Sequence, residues 1–81
     1  MLKAYDAVVS AAGRDRSEFL VVIRIAPEGV YVANGKDRPL ARPKRKNPKH
    51  VVPVGEALSE EALRSDRALR RALAALKANH R

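Results

Sequence analysis

Eighty-one residues suffice for one small domain with a modest core, and the absence of cysteine excludes disulfide frameworks, thiolate metal sites and cysteine nucleophiles. Apolar residues make up 46% of the chain, enough for packing alone to hold a small fold, and no apolar run approaches the roughly 20 residues of a membrane span. The net charge of +8 is concentrated: residues 1–37 are neutral, residues 38–55 carry six Lys/Arg and no acid, and residues 56–81 add an excess of two. A field focused in this way favours a polyanionic partner through steering and counterion release. The N-terminal stretch carries Lys3 and Asp6 early and lacks the apolar core of a signal peptide, so the chain is expected to be soluble and cytoplasmic.

In chain order, "AVVS" (7–10) is a short apolar run that ends at "AAGRDR", where Gly13 can supply a positive φ and Asp15 can fix a turn. "EFLVVIRIA" (18–26) alternates, with Phe19, Val21, Ile23 and Ile25 on one face and Leu20, Val22 and Arg24 on the other. Its β-branched content and the stop at Pro27 predict a strand. "PEG" (27–29) is a turn and "VYVA" (30–33) a second strand. "NG" at 34–35 predicts a two-residue hairpin turn, with Asn34 and Gly35 shaping the loop. The returning "KDRPLARP" is punctuated by Pro39 and Pro43, so it is expected as an edge strand at best. "HVVPV" (50–54) closes the β region. Short strands at this spacing predict a mainly β fold: a small SH3-like barrel of about five strands over residues 1–55.

Composition changes at Gly55. Residues 56–81 are rich in Ala, Leu, Glu and Arg and predict a C-terminal helical appendage that packs on or extends from the barrel. Ser59 is a plausible N-cap with Glu60 and Glu61 in the first turn, and Lys77, His80 and Arg81 suit the other end. Leu58, Ala62, Leu69, Leu73 and Leu76 form one stripe. Ser65 interrupts it and Leu63 lies off it, which predicts a break near Ser65–Asp66, where either residue can cap a second segment. The stripe is expected to dock on the barrel, with Arg64, Arg67 and Arg71 pointing away.

The chain carries no arrangement that catalysis requires. His50 and His80 are far apart, the serines at 10, 17, 59 and 65 lack a His/Asp constellation, and no phosphate-loop or metal-ligand spacing is present. No enzyme activity, cofactor, metal or small-molecule substrate is expected. A binding surface has more support. Arg14 and Arg16 sit at the tip of a tight loop, and Lys36, Arg38, Arg42, Lys44, Arg45, Lys46 and Lys49 can form a basic stripe beside it. Local ion pairing of the two arginines with Asp15 or Glu18 is the competing use. Phe19 is expected in the core. Tyr31 lies opposite Val30 and Val32, where it either stacks on a base or, as expected here, covers a barrel edge.

"AVVSAAGRDRSEFLVVIRI" resembles a KOW motif, a strand–loop–strand unit that opens an SH3-like barrel. "NGKDR" followed by "RPKRKNPKH" resembles the small bacterial KOW-domain RNA-binding proteins, relatives of the KOW-type large-subunit ribosomal proteins of archaea and eukaryotes. The likeness spans roughly residues 5–52. It implies binding to structured RNA, ribosomal RNA or the translation apparatus, with ribosomal proteins as further partners and no membrane role. On this resemblance Gly13 corresponds to the hallmark glycine, with Arg14, Asp15 and Arg16 on its loop. Lys44, Lys46, Lys49 and His50 occupy the family's basic segment and would contact RNA. The pattern departs at Asp6 and Ser17, where the family usually has glycine. Two other functions fit the composition: a protein-interaction module using the barrel and the leucine stripe, and a nonspecific DNA binder.

Overall fold

The computed structural model describes residues 1–80, so Arg81, expected at the helix end, lies outside the described residues. Five strands form one antiparallel sheet: β1 (Asp6–Ser10), β2 (Phe19–Ala26), β3 (Gly29–Ala33), β4 (Lys44–Lys46) and β5 (Val51–Ala57). Their order is β4-β3-β2-β1-β5. One helix follows, α1 (Asp66–Asn79), making a small, mainly β domain with a C-terminal helix. Among the described residues no helix is long and apolar enough to cross a membrane.

The sheet is curled, but the expected barrel is not closed: β4 and β5 are its edges and do not pair with each other. Prolines contribute to this. Pro43 precedes β4 and Pro48 opens the 3₁₀ turn Pro48–His50 that follows it, leaving β4 three residues long. Pro53 removes a donor from β5. The curl is visible in the packing. Val51 of β5 joins Val30 and Val32 of β3 in one buried cluster, with Val8, Leu20 and Val22 from the strands between.

The opposite, convex face belongs to the helix. Ala7 pairs with Val21, and Val21 with Ala33, so the three side chains share a row across β1, β2 and β3. The alanines at either end of that row leave room for α1, whose Leu69, Leu73 and Leu76 are buried against it. The leucine stripe is therefore occupied within the fold. Ser65 caps α1 by accepting the Ala68 N–H, and Ser59 caps a separate 3₁₀ turn (Glu60–Leu63) by accepting that of Ala62. That separate turn brings Leu63, expected off the stripe, into the same cluster.

Three local expectations are corrected. The β2–β3 register shifts between Val22 and Arg24, placing Arg24 opposite Tyr31 and Ile25 opposite Val30. This bulge takes Ile25 out of the row of Phe19, Val21 and Ile23 and moves Arg24 to the convex face. Asn34-Gly35 does not form a two-residue hairpin. Gly35 has a positive φ (78°) but Asn34 does not, and Asn34 Oδ1 instead accepts the N–H groups of Lys36 and Arg38. The chain then loops through residue 43, so "KDRPLARP" is loop, and the edge strand is "KRK" (44–46). At the other edge, β5 continues to Ala57, past the change in composition at Gly55.

Candidate nucleic-acid interface

The β1–β2 loop is built from inside outward. Its base is closed by backbone bonds from Ser17 N–H to the Ser10 carbonyl (2.7 Å) and from Ser10 N–H to the Glu18 carbonyl (3.0 Å). Gly13 (φ 88°) and Ser17 (φ 73°) take left-handed conformations that turn the chain. Asp15 points inward and is 4% exposed. Its Oδ1 accepts from the Ser10 hydroxyl and from Lys46 Nζ, each at 2.9 Å, and the Lys46 ammonium also donates to the Ala12 carbonyl at 3.2 Å. Burial of the carboxyl pushes its pKa up. The hydrogen bonds from Lys46 and Ser10, with the Lys46 charge, outweigh that and hold Asp15 below its ordinary value.

With Asp15 turned inward, Arg14 and Arg16 are left exposed at the loop tip, and neither forms an ion pair among the described residues. Lys46 differs from its neighbours: its side chain is only 8% exposed, and its ammonium is committed to Asp15. Lys49 and His50 lie exposed on the 3₁₀ turn. The His50 carbonyl accepts the Ala11 N–H at 2.8 Å, so this turn abuts the start of the Gly13 loop.

The 34–43 loop gathers the remaining basic residues. Asn34 is buried and organises it through the two N–H groups its side chain accepts. Its own amide donates to Asp37 at 2.9 Å and Glu18 at 3.4 Å, the latter linking the two loops. Arg38, Arg42, Lys44 and Arg45 line one open concavity of about 460 Å³, with Pro39 and Pro43 as stiff backbone. Its single acid is Asp37, which the Asn34 hydrogen bond holds below the usual carboxylate range. An open cleft lined by four cations and one hydrogen-bonded carboxylate has the electrostatics to suit a polyanion and offers little to an apolar ligand.

No family model matches the chain, and no curated protein matches it.

Lys36 is not part of that concavity. It lies in a groove of about 300 Å³ between the loops and α1, with Glu18, Asn34, Arg70 and Lys77. Helix and loop are joined there: Arg70 donates to the Gly35 carbonyl at 2.8 Å, and Asp66 Oδ1 accepts the Leu40 N–H at 2.8 Å. Charge and periodicity in the sequence do not anticipate Arg24 and Arg70 at these positions, whereas Lys77 stands in the last turn of α1, as its place in the sequence suggests. Arg70 flanks the leucine stripe, and its helical spacing carries a signal. The relocation of Arg24 by the bulge carries none.

Proposed function

We propose that this chain is a non-catalytic RNA-binding protein of the KOW type, built on an SH3-like barrel left open at one seam. It binds structured RNA, such as ribosomal RNA, in the service of the ribosome or translation. The observation that carries the proposal is the concavity of Arg38, Arg42, Lys44 and Arg45 on the β4 edge, which concentrates cations where the sequence concentrates charge. Phosphates neutralised there release counterions, and the exposed Arg14 and Arg16 at the neighbouring loop set orientation.

Two further features support the reading. The five strands follow one another as an antiparallel sheet whose edges, β4 and β5, are joined by a single 3₁₀ turn. Ser17, standing where the KOW pattern has a glycine, keeps a left-handed backbone (φ 73°), so the departure concerns the side chain and not the path of the loop. Within the basic segment, Lys46 acts on the fold, leaving Lys44, Lys49 and His50, together with Arg42 and Arg45, for RNA.

The test is equilibrium binding of structured RNAs to the wild type and to the triple variant Arg42→Ala/Lys44→Ala/Arg45→Ala. The variant loses about tenfold affinity or more across RNAs of different sequence while its melting temperature stays near that of the wild type. Unchanged affinity contradicts the proposal. Tighter binding to duplex DNA than to RNA favours a DNA binder instead.

A further inference from the structure

The bulge in β2 assembles a group that simple alternation would have kept apart. Without the extra residue, Arg24 would face the concave core beside Val22; with it, Arg24 lies opposite Tyr31 on the convex face, and Tyr31 lies opposite Arg45 of β4. The Arg24 guanidinium carbon sits 3.9 Å from the centroid of the Tyr31 ring, at stacking distance. The Tyr31 hydroxyl donates to Glu28 Oε2 at 2.8 Å, which biases the orientation of the ring. Arg24 and Arg45 are exposed, and the helix covers the other end of this face, over Ala7, Val21 and Ala33.

An exposed arginine normally loses considerable side-chain freedom when it binds. Here Arg24 is already held over the Tyr31 ring and remains exposed to solvent. Arg45 has two roles, since it flanks Tyr31 in the sheet and lines the concavity with Arg38, Arg42 and Lys44. A stacking plane and a phosphate-binding cleft thus adjoin, as a base and its own phosphate do within a nucleotide.

We propose that the Arg24–Tyr31 stack is a platform for one unpaired nucleotide of the bound RNA: its base stacks on the Arg24 guanidinium, and Arg45 holds the adjoining phosphate. This inference rests on the RNA-binding reading and narrows it. The preferred ligand is a folded RNA with a bulged or looped-out base, because a base inside a continuous helix cannot reach such a plane.

The experiment compares two RNA hairpins of equal length, one fully paired and one with a single bulged 2-aminopurine. The wild type binds the bulged hairpin about fivefold or more tighter, with a change in 2-aminopurine fluorescence on binding. Arg24→Lys, which keeps the charge and loses the plane, lowers the bulged affinity to that of the paired hairpin and removes the fluorescence change. Its affinity for the paired hairpin and its melting temperature are unaltered. Equal wild-type binding of both hairpins, or an Arg24→Lys variant that retains the preference, overturns the platform and leaves RNA binding standing. Failure of the wild type to bind either hairpin overturns the RNA-binding reading and the platform with it.

Discussion

Asp15 and Lys46, 31 residues apart in the chain, meet in a buried ion pair with Nζ 2.9 Å from Oδ1. The pair fastens the Gly13 loop to β4, so the loop tip carrying Arg14 and Arg16 and the basic β4 edge are held together by an acid and a base that neither presents to solvent. Removing one partner strands the other charge in a poorly hydrated site. Asp15→Ala and Lys46→Ala are each expected to destabilise the fold by about 3 kcal/mol in denaturant titrations. The double replacement Asp15→Leu/Lys46→Met recovers most of that loss, since an apolar pair leaves no charge unpaired. Additive single and double losses would show that the two residues act separately.

The same pair sets an acid limb to stability. Asp15 titrates below its ordinary value of 3.8 in the folded protein, so as pH falls the unfolded chain takes up the proton first. Its contribution is therefore complete above about pH 4 and is lost as pH falls through the folded value. Melting temperatures measured from pH 6 to pH 2 should fall steeply at the acid end. Asp15→Asn should flatten part of that limb while lowering stability at neutral pH. Asp37 and Glu28 are shifted the same way by hydrogen bonds from Asn34 and Tyr31, and being exposed they add less to that limb than Asp15.

Gly35 is where the helix meets the loops. A Cβ there would collide with the Asp66 carbonyl oxygen, and the backbone φ of 78° disfavours any side chain. Gly35→Ala is expected to destabilise by more than about 1 kcal/mol and to loosen α1 from the sheet. Hydrogen exchange resolves this: faster exchange in Asp66–Asn79 with slower-exchanging β1 and β2 unchanged. Uniform acceleration across the chain would mean that helix and sheet unfold as one unit.

Much of the fold is legible in the sequence because its strands alternate and its helical caps are serines. Ser59 and Ser65 stand out as caps because each directly precedes an acidic residue and a helix-forming run, and the row of Leu69, Leu73 and Leu76 follows from helical spacing. The β2 bulge is not legible, because one extra residue resets the faces without changing composition, and it decides where Arg24 and Ile25 go. "NG" misleads because the Asn34 side chain competes for the backbone N–H groups of Lys36 and Arg38, and a longer loop satisfies them better than a tight turn. At the candidate interface, charge marks the basic segment in the chain, yet charge alone does not distinguish Lys46 from Lys44. Both lie on one side of β4, and a carboxylate from a distant loop draws one of them inward.

Neutralisation of RNA phosphates by the exposed cations of residues 38–49, with the neighbouring loop arginines, is the proposed basis of binding. It is tested most directly by the salt dependence of affinity for a structured RNA. For about five phosphates, log K should fall against log salt with a slope of roughly −3 to −5, reduced by about two to three in the Arg42→Ala/Lys44→Ala/Arg45→Ala variant. A slope near zero, or one the triple variant leaves unchanged, would contradict the account.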